Sequence, residues 1–478
     1  MSKIQQLDEQ WITRYQSLDY DLYWWWTWAG PFTQAEKQAW KRLENSPGQK
    51  EQQRALLKTS RERALADAWF GDYDPHLWYP TIHQEKLAWL FALVRQLKED
   101  IRAGERHPLV RSLYLETLEW EESRLRMVEA SAMQNPEQFR QYACLRTAPP
   151  TKAEMLAGLA YVVLVLQRAR RSPETETLAR QIWETIQSAL SFSLAEVPDE
   201  EKDAVYLSFE REKSALPLPQ FEVSVLQRFF STIFADLGLT GWRAEVDSDA
   251  PNTWVSGASL LLRNQPESLP RVRHLLVHEF GHLLRREAGR RSILGLLGEG
   301  TRNYEITEEG LLLYLEKKLL EQQGQRLDDS GHRLITLATG LACGTFGVPM
   351  GFTALWKLLS CFSCLPRMLR HPEDDRDEVE KEAQSYALRL CLRIFRGVPC
   401  LEQHGICNTK EVIYLRGLRQ IEQALAGDAT LLPRLGVGKV GLEDLEIVEQ
   451  LGARTPFSLD RLFALATNPR LEEIIRQC

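Results

Sequence analysis

The chain of 478 residues has no surplus of positive charge, because 59 lysines and arginines stand against 66 aspartates and glutamates and the net charge is −7. Proteins that bind the phosphate backbone of nucleic acids are normally basic, so nucleic acid is not an expected partner. The first residues contain no apolar core of a secretory signal, and the chain has no internal repeat or low-complexity tract. These absences favour a folded protein of the cytoplasm.

Cysteine is sparse as well, with eight residues spread along the chain. In a chain of this size they are typical of reduced thiols rather than of a disulfide framework. Cys361 and Cys364 form a single CxxC motif without a second pair at the distance of a zinc ribbon. The two are either core thiols or an isolated metal or redox pair.

One long segment, residues 334–356, has no charged side chain. Its length would suffice for a membrane-spanning helix. Pro349, four glycines and several threonines interrupt it and lower its hydropathy. We therefore predict two buried helices with a break near residues 347–349, and no membrane span.

Tryptophan is unevenly distributed, since ten of the 14 lie in the first 120 residues, most densely at residues 23–28. Together with long helical patterns at residues 84–102 and 109–132, this predicts a separate helical N-terminal domain, residues 1–148. Its indole rings either fill gaps between packed helices or form a binding face.

Residues 149–478 form the second predicted domain. Pro149-Pro150 marks a break, and Thr151 with Glu154 predicts a capping box at the next helix. Strands are expected at residues 241–246 and 253–262, with helices on either side.

Histidine is rare, with nine residues, yet two of them form His278-Glu279-Phe280-Gly281-His282. The number of such His-acid-x-x-His arrangements expected by chance in a chain of this composition is only about 0.02. Residues four apart share one face of a helix, so both imidazoles can bind one Zn²⁺, and Glu279 can take a proton from its water. The alternative is a pair of ordinary helix histidines. His274, one turn earlier, is interpreted as a packing or supporting residue.

The motif is expected within one helix that Ser268 caps and Gly289 ends. A catalytic zinc site needs a third protein ligand, and Glu308 and Glu309 follow downstream. We predict that Thr307 caps their helix and that Gly310 lets it approach the histidine helix closely. Alternatively, the two acids simply suit the positive end of a helix dipole.

Three ordered motifs resemble a family of zinc carboxypeptidases that includes the microtubule-associated tyrosine carboxypeptidase, which removes the C-terminal tyrosine of α-tubulin. Residues 307–311 (TEEGL) resemble its T/Q-E-G-L signature, residues 393–397 (RIFRG) its R-x-F-R-G segment, and residues 408–417 (NTKEVIYLRG) its F-T-K-D-x-x-Y-L-x-G segment. The resemblance extends over residues 150–430.

The resemblance implies that His278 and His282 bind zinc, that Glu309 is the third ligand and that Glu279 is the general base. The family's usual motif is HExxxH, which is one residue longer than the HExxH of this chain. Tubulin as a substrate therefore does not follow from the resemblance.

Three further roles follow from the expected chemistry. Tyr414, in the late motif, is the candidate donor to the oxyanion, unless it merely packs on its helix. Arg393 and Arg396, with Lys410 behind them, are the candidates for binding a substrate carboxylate, unless they are solvated cations. The strand at residues 257–263 is a candidate edge strand for an extended peptide.

The predicted fold is mainly α, a helical zincin-like (gluzincin) metallopeptidase domain with a small β-sheet behind a helical N-terminal domain. The predicted function is that of a zinc-dependent carboxypeptidase acting on peptide or protein C-termini in the cytoplasm, with Zn²⁺ as cofactor. Two alternatives remain open at this point: a non-catalytic scaffold, with or without zinc, that binds a partner, and a zinc endopeptidase with an open cleft. The oligomeric state is not predicted.

Overall fold

The computed structural model describes residues 6–18, 30, 32–44, 50–207, 218–247, 252–455 and 459–478. The tryptophan-rich run at residues 23–28, interpreted either as packing between helices or as a binding face, lies outside the described residues.

The described chain is mainly helical with small sheets and a helical N-terminal region. This confirms the predicted mainly α fold class, while the zincin-like assignment stays a prediction. The α-helices, in chain order, are α1 (Glu9–Gln16), α2 (Gln34–Glu44), α3 (Lys50–Gly71), α4 (Gln84–Gly104), α5 (Pro108–Ala132), α6 (Pro136–Arg146), α7 (Lys152–Ala169), α8 (Pro173–Ala189), α9 (Asp199–Ala204), α10 (Val223–Asp236), α11 (Leu269–Val277), α12 (Glu279–Arg290), α13 (Leu296–Glu299), α14 (Tyr304–Gln322), α15 (Ser330–Cys343), α16 (Phe352–Arg370), α17 (Arg376–Ile394), α18 (Ile413–Gly427), α19 (Leu431–Arg434), α20 (Leu445–Gln450), α21 (Leu459–Thr467) and α22 (Leu471–Gln477). The strands are β1 (Gln220–Phe221), β2 (Arg243–Asp247), β3 (Trp254–Ser256), β4 (Ser259–Arg263) and β5 (Glu267–Ser268).

The two long N-terminal helices form where the sequence pattern predicts them. In α4 the buried residues are spaced three or four apart and form one apolar stripe, which packs against α5. The stripe consists of Leu87, Leu90, Val94, Leu97 and Ile101. Helix α5 begins at Pro108, where the fixed φ of proline suits the first helical turn.

The predicted break at Pro149-Pro150 separates α6 from α7, and the capping box of Thr151 and Glu154 is formed. Buried side chains from both sides of this break nevertheless belong to one apolar cluster. Asp8, near the start of the chain, also accepts hydrogen bonds from the backbone N–H groups of Gly295 and Leu296, each at 2.9 Å. The division into two domains at residue 148 stays a prediction.

The larger sheet has the strand order β2-β4-β3, with β2 parallel and β3 antiparallel to β4. Because β4 is paired on both sides, the prediction that residues 257–263 form a free edge for a substrate peptide is wrong. The edges of this sheet are β2 and β3. The short pair of β1 and β5 leads directly into α11, because β5 ends at Ser268 and α11 begins at the next residue.

The uncharged segment forms two buried helices, α15 and α16, with a break at residues 344–351, as predicted. Gly344 has the positive φ of 64° that ends α15, and Met350 returns a backbone hydrogen bond to Leu341. Among the described residues, no helix combines the length and the apolar character that crossing a membrane requires.

Candidate metal centre

The two histidines of the HExxH motif lie at a junction of two helices rather than within one. Helix α11 ends at Val277 and α12 begins at Glu279, while His278 between them has φ −86° and ψ −71°. Two backbone hydrogen bonds carry the turn through the junction, from the N–H of His278 to His274 (2.8 Å) and from the N–H of His282 to His278 (3.1 Å). The prediction of a single helix ended by Gly289 is therefore wrong, since α12 also continues to Arg290. The one-turn spacing of the two histidines is kept, with ring centroids 5.1 Å apart.

Three candidate ligand atoms converge at this junction. Glu309 Oε2 lies 3.7 Å from His278 Nε2 and 3.9 Å from His282 Nε2. Two ligand atoms that are each about 2.0–2.1 Å from one tetrahedral Zn²⁺ are about 3.4 Å apart, so both distances lie within about 0.5 Å of those expected for a shared ion. Glu309 Oε2 is also buried without a hydrogen-bond partner among the described residues. A buried carboxylate oxygen of this kind needs a cation or a proton, so the donor set fits a His₂Glu zinc site.

The helix that carries Glu309 is positioned differently from the prediction. Helix α14 begins at Tyr304, so Thr307 does not cap it but accepts a hydrogen bond from the N–H of Leu442 at 3.0 Å. A Cβ at Gly310 would collide with the backbone of Gly417 in α18, not with the histidine helix. The close approach of the histidine helix to α14 occurs instead at Gly281, where a Cβ would collide with Leu312.

Each histidine engages a carboxylate of α14 through its second ring nitrogen. His282 Nδ1 lies 3.0 Å from Glu308 Oε2, and His278 Nδ1 forms a short hydrogen bond with Glu316. Glu308 is only 4% exposed, so it is a buried acceptor rather than a solvated acid at the helix rim. Glu316 was not among the residues predicted from the sequence. Its spacing of seven residues from Glu309, two helical turns on the same face, was the available signal.

Glu308 is surrounded by fixed positive charge. Arg285, which is 0% exposed, places Nη1 3.4 Å from Glu308 Oε1 and donates hydrogen bonds to the carbonyls of Leu435 and Val440. Burial alone would raise the pKa of Glu308, but Lys439, His282 and Arg285 hold the pKa well below its ordinary value. Glu308 is therefore ionised at neutral pH.

Glu316 is held in a similar way by His274 and His278. Its Oε2 lies 3.0 Å from His274 Nδ1, and the two imidazole rings stack with centroids 5.3 Å apart. Although burial opposes it, these two histidines hold the pKa of Glu316 well below its ordinary value. The structure thus gives His274 a specific contact in addition to packing.

The pKa values of two groups at the convergence point, His278 and Glu309, are both raised. Burial lowers the pKa of His278, but Glu316, with Glu309 and Glu279, outweighs burial and raises the pKa to about 9. Burial raises the pKa of Glu309, and Glu308 adds to this effect, while His282 and His278 oppose it. Without a bound cation, the pair of His278 and Glu309 therefore retains a proton.

Glu279 directly follows His278 and lies close enough to influence its pKa. Among the described residues, the Glu279 side chain makes no hydrogen bond or ion pair with another side chain. In this respect it differs from Glu308 and Glu316, which are both held by positively charged or hydrogen-bonding neighbours. Its carboxylate is therefore available to a water molecule at the site.

The other predicted residues lie at different places around this group. Tyr414 stacks on His332 with ring centroids 4.9 Å apart, and His332 is electrostatically coupled to His278 and Glu316. Arg393 forms a short ion pair with Glu411 and is electrostatically coupled to Tyr414.

Lys410 lies on another side, where its Nζ is 3.4 Å from Glu305 Oε1, one helical turn before Glu309. It is close enough to lower the pKa of Glu309. Arg396 is electrostatically coupled to Tyr79, whose hydroxyl donates a hydrogen bond to the carbonyl of Val398. Lys410 is thus electrostatically coupled to Glu309, and Tyr414 and Arg393 are connected to the metal centre through His332.

The CxxC pair lies within α16, away from this group. The Cys364 thiol is buried and donates to the carbonyl of Ser360 at 3.3 Å. Burial raises the pKa of both Cys361 and Cys364, which keeps them as thiols. Among the described residues, neither belongs to a cluster of potential metal ligands. This environment supports the interpretation as core thiols.

Comparison with curated proteins and with solved structures gave no match. The model of the family described as microtubule-associated tyrosine carboxypeptidase matches residues 376–458. This segment contains the motifs at residues 393–397 and 408–417, together with Lys439 and the two carbonyls that hold Arg285. Residues 376–458 thus carry the similarity to the microtubule-associated tyrosine carboxypeptidase family that the sequence motifs predicted.

Proposed function

We propose that this protein is a zinc-dependent carboxypeptidase. The observation that carries the proposal is the convergence of His278 Nε2, His282 Nε2 and Glu309 Oε2 beside the available carboxylate of Glu279. The similarity of residues 376–458 to a carboxypeptidase family supports the choice of this reaction over other metal-assisted hydrolyses.

His278, His282 and Glu309 would hold the zinc ion, which would supply Lewis acidity for the scissile carbonyl and for lowering the pKa of a water molecule towards about 7. Glu279 accepts the proton of the attacking water and later delivers it to the leaving amine. The Tyr414 hydroxyl donates a hydrogen bond to the oxygen on which negative charge develops. Its stacking on His332 fixes the plane of the phenol ring.

A carboxypeptidase must also bind the free carboxylate of its substrate. Lys410 is the candidate best placed for this role, because its partner Glu305 lies one turn from Glu309 on the same face of α14. Arg393 is the second candidate, because it is coupled to Tyr414, and Arg396 is the third. The proposed substrate is the C-terminus of a peptide or protein, and the proposed location is the cytoplasm.

The test has two steps. The purified protein is expected to contain about one zinc per chain, and the His278→Ala, His282→Ala double variant to contain none. The wild-type protein is then incubated with a peptide library in which each sequence has a free or an amidated C-terminus, and the products are identified by mass spectrometry. A carboxypeptidase shortens only the free C-termini.

Two other outcomes would decide for another function. Internal cleavage of both peptide forms would indicate an endopeptidase. Zinc binding without cleavage of any peptide, in a sample that retains its metal, would indicate a scaffold. Glu321→Gln is the control variant for both zinc content and peptide cleavage. Glu321 is exposed near the end of α14 and pairs with Lys318, so its substitution should change neither.

A further inference from the structure

Two carboxylates of a single helix, α14, contact the Nδ1 atoms of the two histidines of the metal centre. Each ring directs Nε2 towards Glu309 and Nδ1 towards a different carboxylate, Glu316 for His278 and Glu308 for His282. A neutral imidazole carries one N–H, so an Nδ1–H that donates to a carboxylate leaves the lone pair on Nε2 for a metal. Both rings therefore have the orientation that a metal site needs, with Nδ1 beside a carboxylate and Nε2 towards Glu309.

We propose that Glu316 and Glu308 are positioning residues that set the metal affinity of this centre through His278 and His282. This inference rests on the proposed function, because it assumes that the two histidines bind a metal. Ligating histidines commonly donate their other N–H to a carboxylate, and loss of that partner typically weakens metal binding by about 10–100-fold.

The pairing follows from the packing of the two helices. Along α11 and α12 the order is His278 then His282, whereas along α14 the order of their partners is Glu308 then Glu316. This reversed order indicates that the two segments run antiparallel where they meet. One surface of α14 thus supplies the third candidate ligand, Glu309, and a carboxylate for each histidine.

The two carboxylates differ in how they are held. Glu308 is fixed by the fully buried Arg285, which in turn donates hydrogen bonds to the backbone carbonyls of Leu435 and Val440. Glu316 is fixed by His274, whose side chain is 30% exposed. Loss of either carboxylate leaves its histidine free to rotate or to change tautomer, while Glu309 remains in place.

The competing explanation is that both contacts are ordinary buried ion pairs that stabilise helix packing. That explanation predicts lower stability but an unchanged metal site in the folded protein. Metal affinity and the coordination spectrum separate the two, because a purely structural contact does not alter the geometry at Nε2.

The experiment compares Glu316→Gln and Glu308→Gln with the exposed control Glu321→Gln in the full chain. Zinc affinity is measured by competition with a chelator, and the visible absorption of the Co²⁺-substituted protein reports the coordination geometry. We expect each of the two buried variants to bind zinc about 10–100-fold more weakly and to show an altered Co²⁺ spectrum, and the control to match the wild type. Melting of the metal-free proteins confirms that each variant is folded.

Unchanged affinity and spectrum in both variants, with a zinc-binding wild type, would overturn this inference and leave the proposed function intact. A wild-type protein that binds no zinc would instead overturn the proposed function itself. If Glu316→Gln does not fold, His274→Gln takes its place, because it frees one end of the same carboxylate at a partly exposed position. An unchanged Co²⁺ spectrum in His274→Gln would then remove Glu316 from the proposal.

Discussion

At the scale of single residues, the acids of the metal centre are separated by their surroundings rather than by their type. Glu308 and Glu316 are held by neighbouring positive or hydrogen-bonding groups, Glu309 has a buried oxygen without a partner, and Glu279 has no side-chain partner among the described residues. Each of these four glutamates therefore has a different expected role, and substitution to glutamine tests each role in turn.

We expect Glu279→Gln to keep the fold and the zinc content and to lower kcat by about 10²–10⁴-fold, because the substitution removes only the proton acceptor. Zinc is quantified in the same sample that is assayed with a free C-terminal peptide. Turnover comparable to that of the wild type would place the general base elsewhere.

We expect Glu309→Gln to weaken zinc binding more than Glu308→Gln does, because Glu309 alone presents its carboxylate oxygen to both Nε2 atoms. Adjacent residues on a helix point about 100° apart, so the two side chains cannot occupy the same position. Chelator competition on the two variants measures the difference. The reverse order of affinities would exchange their roles, and equal retention in both would remove α14 from the site.

Asp444 gives a pH dependence outside the metal centre. It is 1% exposed, and its nearest charged partner, Arg302 Nε, is 3.7 Å away, too far for a hydrogen bond. Burial raises the pKa of Asp444 from 3.8 to about 6. The folded state therefore binds this proton more tightly than the unfolded state, and this group lowers stability as the pH rises from about 4 to about 6.

We accordingly expect Asp444→Asn to be more stable than the wild type at pH 7.5, by on the order of 1 kcal/mol after allowance for solvent screening. The gain should disappear below about pH 4, where the wild-type carboxyl is protonated in both states. Urea denaturation at the two pH values measures this. An equal gain at both would mean that the charge of Asp444 is not the cause.

At the scale of elements, the crossing of α14 and α18 determines where Glu309 and Tyr414 lie relative to each other. The two helices are in backbone contact at Gly310 and Gly417, and each glycine occupies space that no Cβ can enter. This close approach places the family-like motif of residues 408–417 beside the glutamates of α14.

We expect Gly310→Ala to destabilise the protein by about 1–3 kcal/mol, because the two helices must move apart, and to weaken zinc binding by displacing Glu309. The matched control is Gly427→Ala in α18, where a Cβ would meet nothing within 4 Å. Thermal unfolding and chelator competition are measured for both. A Gly310→Ala protein as stable as the control would contradict the close contact.

At the scale of the whole molecule, the N-terminal residues are connected to the proposed catalytic part through Asp8. This side chain is fully buried and accepts hydrogen bonds from the N–H groups of Gly295 and Leu296 and from the hydroxyl of Tyr114, the last at 2.7 Å. Loss of a charged acceptor leaves these buried donors without a partner.

We expect Asp8→Ala to lower the free energy of unfolding by about 2–4 kcal/mol, whereas Asp67→Ala, at an exposed position of α3, should change it little. Because one apolar cluster spans the predicted domain boundary, both variants should unfold in a single transition. Two separate transitions in calorimetry would support the division at residue 148.

The sequence by itself determined the features that depend on neighbouring residues. These include the helices α4 and α5, the capping box of Thr151 and Glu154, the break at residues 344–351 and the one-turn spacing of His278 and His282. Such features arise within one or two turns of chain, where propensity and hydrophobic period act directly. The two candidate histidine ligands could be predicted from the sequence for the same reason.

Only the tertiary structure decided the features that join distant segments. Glu316 meets His278 across 38 residues, and Arg285 reaches the carbonyl of Leu435 across 150. The same holds for the central position of β4 and for the contact of Gly310 with Gly417 instead of the histidine helix. No local pattern encodes which helix face will meet another, because that choice is made by packing of the whole apolar core.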